Sequence, residues 1–91
     1  MIPQSMRTIS SRLIQDIDVI AGTPEGIVRF CVRDLSEAER SSARIFIESL
    51  LDGTHSISQI QKVWWTLPSD LVFDNGDELV AFLSLLRDGL R

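Results

Sequence analysis

The residues of this chain that could act as a base or a nucleophile are His55 and Cys31, its single histidine and single cysteine among 91 residues. Neither a Gly-rich phosphate loop nor a Gly-x-Ser-x-Gly nucleophile motif accompanies them. One histidine and one cysteine are too few for a structural zinc site. The sequence therefore predicts a protein that is not an enzyme and that needs neither a metal nor another cofactor. We expect His55 in a loop and Cys31 as an inert, half-covered thiol.

The charge of the chain is divided unevenly along its length. Residues 1–33 sum to +1 and residues 34–91 to −5, which gives the formal net charge of −4. An acidic surface repels nucleic acid and attracts a basic partner over a long range. A solvated acidic face that serves solubility is the simpler interpretation.

The composition, 44% hydrophobic and 24% charged, is typical of a globular protein. No apolar run approaches the roughly 18 residues that a membrane span needs, and the N-terminus lacks the apolar core of a signal peptide. A lone cysteine suits a reducing compartment. We therefore predict a cytoplasmic protein without membrane contact, in which residues 1–12 form a flexible arm and residues 13–91 a single domain.

The first half of the domain has the alternation of a β-hairpin. Leu13–Ala21 and Ile27–Val32 both alternate apolar and polar residues, and Gly22–Gly26 (GTPEG) between them concentrates turn formers. In one register Val19 faces Val28 across the two strands. These patterns predict a hairpin whose inner face needs a cover.

Helices supply that cover. Ser36 and Glu39 form a capping box that begins a helix over Glu37–Asp52, which ends at Gly53. Two further helices follow, one from the Ser56 and Gln59 capping box to about Thr66, and one from Asn75 to Asp88. The residues predicted to be buried are Phe46, Ile47, Leu50, Trp64, Phe82, Leu83 and Leu86.

In this order the elements resemble the pyrroloquinoline quinone biosynthesis protein D family and the wider class of precursor-peptide recognition domains. The residues that carry the resemblance are Pro24, Glu25, Gly26, Leu50 to Gly53, Ser56, Ile57, Ile60, Val80, Phe82, Leu83, Leu86, Gly89 and Leu90. It implies an α+β, winged-helix-like domain in which an N-terminal β-hairpin packs on three helices. It also implies a leader peptide captured as an added strand at the sheet edge.

The leading hypothesis is therefore a non-enzymatic peptide-binding module that serves a peptide-modifying enzyme. Two leftover apolar residues of the third helix, Val80 and Leu85, are not used by its core stripe and could line a groove. The candidate peptide-binding residues lie on the edge of the second strand and the outer face of the third helix: Val28, Arg29, Cys31, Arg33, Val80, Ser84 and Arg87.

Two other functions stay open. An acidic immunity protein that neutralises a basic toxin nuclease would use an outward-facing tryptophan and the acidic entrance of the third helix: Trp65, Asp70, Asp74, Asp77 and Glu78. A winged-helix DNA-binding regulator is disfavoured because that helix begins with two carboxylates. The sequence indicates neither the identity of the partner nor the oligomeric state.

Overall fold

Helices account for all the regular secondary structure of the described residues. The structure is a computed structural model that describes residues 2–70, 73 and 75–91. Its elements, in chain order, are α1 (Gln4–Ser11), α2 (Ile17–Ala21), α3 (Pro24–Val32), α4 (Glu37–Leu51), α5 (Ile57–Trp65) and α6 (Gly76–Gly89).

The predicted α+β, winged-helix-like fold is wrong. The supposed first strand, Leu13–Ala21, is a turn followed by α2, and the supposed second strand lies within α3. No strand occurs among the described residues, so the hairpin, its register and its open sheet edge are all excluded there. Val19, which was expected to face Val28 on the inner side, is 80% exposed, whereas Val28 is 5% exposed.

The sequence before α3 is a helix start rather than a hairpin turn. The Thr23 hydroxyl accepts a hydrogen bond from the Gly26 amide at 3.0 Å, and Pro24 occupies the first helical turn. Proline suits that position because its missing N–H would have no helical partner there. Glu25 in the same turn complements the positive end of the helix dipole.

The apolar spacing of α3 follows a helix once the packing is known. In α3 the buried residues are Val28, Cys31 and Val32, which lie three and four positions apart. In the first segment, Leu13 before α2 and Ile17 at its first position are each 1% exposed, whereas Ile20 within α2 is 59% exposed. Segments this short fit either period, so alternation alone could not decide between strand and helix.

The N-terminal segment expected to be a flexible arm is instead part of the core. Met6 and Ile9 of α1 are both 0% exposed, and Ser10 donates from its hydroxyl to the Met6 carbonyl at 2.7 Å. Helix α1 packs against α3 and α4. The single packed unit therefore begins before residue 13.

The second half of the chain follows the sequence prediction closely. Both capping boxes are present, from Ser36 with Glu39 and from Ser56 with Gln59. Gly53 ends the turn after α4 with a φ of 94°, in the left-handed region that glycine tolerates.

Helix α6 is the centre of the fold and packs against α3, α4 and α5. Two of its glycines permit this. A Cβ on Gly89 would collide with Val28 Cγ1, and one on Gly76 would collide with Ile57 Cγ2. Of the residues predicted to be buried, Phe46 is only half-buried. The others are buried as expected: Ile47, Leu50, Trp64, Phe82, Leu83 and Leu86.

Two arginines satisfy carbonyl groups at helix ends. Arg12 Nη1 donates to the carbonyls of Cys31 at 2.9 Å and Arg33 at 2.6 Å, at the end of α3. Arg40 Nη2 donates to the Gly89 carbonyl at 2.9 Å, at the end of α6. A cation at a helix C-terminus also complements the helix dipole. The C-terminal ends of α3 and α6 are therefore anchored by arginines of other segments.

Candidate functional site

His55 belongs to a hydrogen-bonded turn that closes the end of α4. The Thr54 hydroxyl donates to Asp52 Oδ1 at 2.7 Å and lies 3.0 Å from His55 Nδ1. The hydrogen bonds from Thr54 lower the pKa of the Asp52 carboxyl. The Thr54 hydroxyl donates its one proton to Asp52, so it can only accept in its contact with His55. His55 Nδ1 is therefore the donor of that contact. These contacts are those of a helix-terminating turn, in which the Thr54 hydroxyl beside the imidazole donates its proton to Asp52 and not to His55.

Cys31 is buried, not half-covered as the sequence suggested. Its side chain is 0% exposed, and burial raises its pKa to about 11, against weaker opposing effects of Arg12 and Arg33. The thiol therefore stays protonated at neutral pH and is an inert core residue. Cys31 cannot be the peptide-contacting residue that the strand-edge hypothesis required.

An apolar groove lies between α3 and α6. It encloses about 290 Å³, and apolar atoms form nearly all of its surface. The residues that line this α3–α6 groove are Pro24, Ile27, Phe73, Glu78, Ala81, Phe82 and Leu85. Concave apolar surfaces of this kind bind ligands or partner side chains.

Phe73 and Phe82 line the inner side of the α3–α6 groove, and Trp64 packs against both rings. The ring centroids of Phe73 and Phe82 lie 5.4 Å apart, and Trp64 meets Phe73 edge-on at 5.7 Å and Phe82 edge-on at 6.2 Å. Phe82 and Trp64 are buried, whereas Phe73 is half-buried. Aromatic packing of this geometry fixes ring positions beyond what area burial alone would do. The groove therefore has a preformed inner wall.

A small side chain on α6 helps to leave the groove open. On α6, Ala81 is exposed and carries the smallest side chain of the lining set. Leu85, one turn later, is half-buried. A larger residue in place of Ala81 would therefore fill part of the groove.

A second depression of about 280 Å³ adjoins the groove at Leu85, which lines both. Its other lining residues are Glu25, Val28, Arg29, Asp88 and Gly89. Unlike the α3–α6 groove, it carries charges of both signs. Val28 and Arg29 are the two predicted peptide-binding residues that lie there.

The other predicted peptide-binding residues lie elsewhere. Val80 is half-buried and Ser84 donates from its hydroxyl to the Val80 carbonyl at 3.0 Å. Because successive helical residues are about 100° apart, Val80, Ser84 and Arg87 lie on a different side of α6 from Ala81 and Leu85. Arg33 is exposed, and its guanidinium lies 3.9 Å above the centre of the Phe30 ring.

The residues proposed for a toxin contact, one tryptophan and four acidic residues, are exposed wherever the structure describes them. Trp65 is 63% exposed, as expected from its place off the apolar stripe of α5. Asp70, Asp77 and Glu78 are also exposed. Asp74 lies outside the described residues. Glu78 is the one member of this set that also lines the α3–α6 groove.

The sequence analysis gave a surface role to two groove residues, Leu85 and Glu78, and to none of the others. Leu85 was noticed because the core stripe of α6 leaves it out, yet Val80 was chosen in its place. Pro24 and Ile27 were assigned to a turn and a strand, and that error concealed the wall that α3 supplies. The helix-start signal of Thr23 followed by Pro24 could have revealed it.

Comparison with protein-family models, with curated proteins and with solved structures found no match to this chain. Within the described residues, no cluster of three or more metal-ligating side chains could hold a metal ion. No helix in the same part of the chain has both the length and the apolar character to cross a membrane.

Proposed function

We propose that this protein is a non-enzymatic binding module that holds an apolar side chain of a polypeptide partner in the α3–α6 groove. The observation that carries this proposal is the groove itself, which leaves Ile27, Phe73 and Leu85 facing an open space of about 290 Å³. Small-molecule sites usually add several convergent polar groups that orient the ligand. Here Glu78 is the one polar side chain among the lining residues, which favours an apolar protein anchor.

The mode of binding differs from the one the resemblance implied. A leader peptide was expected to add a strand to a sheet edge, but the described residues contain no sheet. Docking of side chains into a groove between two helices needs no strand. A leader segment with an apolar anchor remains one candidate partner, now placed at the α3–α6 groove.

A labelled amphipathic peptide with a leucine and phenylalanine face, about 14 residues long, tests the groove by fluorescence anisotropy. Leu85→Asp should weaken binding about tenfold or more, since it places a charge in a surface that loses water on binding. Ala81→Phe should do the same by filling the space, without a charge. Ile45→Asp is the matched control because Ile45 is 61% exposed on α4 and does not line the groove.

The two groove variants must keep the helical circular dichroism of the wild-type protein, so that a loss of binding reports on the groove. Equal binding by wild type, Ala81→Phe and Leu85→Asp would contradict the proposal. So would the absence of any binding at millimolar peptide.

The second candidate function is neutralisation of a basic toxin nuclease. It is favoured by the 63% exposure of Trp65, because exposed tryptophans are enriched in interface anchors. Inhibition assays with a panel of basic nuclease toxin domains test it. Trp65→Ala and Asp77→Lys should each relieve inhibition, while Ala81→Phe should not. Inhibition that only Ala81→Phe relieves would assign the toxin contact to the groove instead.

A further inference from the structure

Glu78 is the one charged residue among those that line the α3–α6 groove. It is exposed, and it forms no ion pair with any other described residue. By contrast Asp88, beside the adjoining depression, lies 3.3 Å from Arg87 Nε and is already paired. The groove thus offers a partner an apolar surface with an unmatched carboxylate at its rim.

A partner segment that fills the groove also comes close to the Glu78 carboxylate. A segment that covers Glu78 removes water from it, and an ionised carboxylate without water or a counter-charge is costly. A Lys or Arg side chain beside the anchor replaces the lost hydration with an ion pair, whereas an acidic residue adds repulsion. The groove therefore discriminates between partners by charge as well as by shape.

Two further carboxylates lie in the first turns of α3 and α6. Glu25 follows Pro24 in the first turn of α3, and Asp77 precedes Glu78 in the first turn of α6. Both are exposed, and neither forms an ion pair with another described residue. Acidic first turns stabilise these helices through the helix dipole. Glu78 and Asp77 give the α6 side of the groove a local negative potential that attracts a basic segment, whereas Glu25 shares the adjoining depression with Arg29.

We infer that the partner segment carries a large apolar anchor with Lys or Arg beside it, so that the anchor enters the α3–α6 groove and the cation meets Glu78. This inference rests on the proposed function and adds the chemistry of the partner to it. It predicts that acidic segments with the same apolar face are rejected.

Two amphipathic peptides of about 14 residues test the inference. They share one leucine and phenylalanine face and differ in their flanking residues, which are Lys in one and Glu in the other. The wild-type protein should bind the Lys peptide about tenfold more tightly at low salt, and the difference should shrink as salt screens the charges. Glu78→Lys should reverse the preference. Glu48→Lys is the control for net charge: Glu48 is exposed on α4 and does not line the groove, although its ion pair with Arg44 at 3.6 Å is lost in the variant.

Each outcome separates the charge inference from the groove itself. Reversal in Glu78→Lys, with the preference kept in Glu48→Lys, supports the inference. Equal affinity of both peptides for the wild type, with binding still blocked by Ala81→Phe, overturns the charge inference and leaves the groove in place. A Lys preference that Glu78→Lys and Glu48→Lys reduce alike assigns it to net charge and overturns the role of Glu78. Binding that Ala81→Phe does not affect overturns the proposed function.

Discussion

Gly89 lies so close to Val28 that a Cβ on Gly89 would collide with Val28 Cγ1. This contact joins the end of α6 to α3, and Arg40 binds the Gly89 carbonyl from α4 at 2.9 Å. The absence of a side chain at residue 89 therefore allows the close approach of α3 and α6 at the adjoining depression.

Gly89→Ala should destabilise the protein by roughly 1–3 kcal/mol through overpacking. Helix propensity alone would favour alanine, so the sign of the change identifies the cause. Urea denaturation measures it. Ser84→Ala in the same helix is the control and should change stability by less than about 0.5 kcal/mol. A stabilised Gly89→Ala protein would contradict the close approach of α3 and α6.

Three consecutive residues of α4 test the rotation of that helix. Ile45 is 61% exposed, Phe46 is half-buried and Ile47 is 0% exposed. Truncation of Ile47 to Ala should cost roughly 2–5 kcal/mol, and that of Ile45 less than about 0.5 kcal/mol. Phe46→Ala should lie between them. Any other order in the denaturation midpoints would place a different face of α4 in the core.

The success of the sequence prediction in α4 and α5 has a local cause. The capping boxes of Ser36 with Glu39 and of Ser56 with Gln59 specify a helix start within four residues of chain. Gly53 specifies the left-handed turn at the end of α4. Signals of this kind depend little on packing, so they could be read without the tertiary structure.

The failure before residue 34 has a tertiary cause. Helix α2 is five residues long and α3 is nine, too short for apolar spacing to separate a period of 2 from one of 3.6. Helix α2 packs on α3, and α3 packs on α6 and α1, so their helical state depends on tertiary contacts. Residues of α3, Phe73 and residues of α6 line the groove. The wrong assignment of α3 to a turn and a strand was therefore enough to misplace the candidate site.

The N-terminal helix offers a direct test of where the packed unit begins. Met6→Ala should destabilise the protein by roughly 2–5 kcal/mol, because Met6 is 0% exposed. Arg7→Ala, the exposed neighbour, should change stability by less than about 0.5 kcal/mol. Thermal melts of both variants provide the measurement. Identical melting curves for the two would restore residues 1–12 as a flexible arm.

Duplex DNA should bind this protein no better than weakly. With a net charge of −4 and two carboxylates in the first turn of α6, few cations are available to displace phosphate counterions. A filter-binding or anisotropy titration at physiological salt measures this. Sub-micromolar affinity for a duplex would contradict the electrostatic argument and reopen the regulatory hypothesis.

Burial of Cys31 makes stability depend on pH in the alkaline range. Its pKa rises from 9.0 to about 11 in the folded protein, because burial disfavours the thiolate. The folded state therefore holds its proton more tightly than the unfolded state. The resulting stabilisation is complete below pH 9 and is lost as the pH rises towards 11, by about 2–3 kcal/mol in all.

Cys31→Ala isolates this contribution, because the variant has no thiol to titrate. The free energy of unfolding of wild type should fall relative to that of the variant between pH 9 and 11, the range set by the two pKa values. Thiol labelling supplies an independent measurement. At pH 8 a disulfide reagent should modify Cys31 only after the protein opens, since the side chain is 0% exposed. Parallel pH profiles of wild type and variant, together with fast labelling of the native protein, would show that the thiol is accessible and ionises normally.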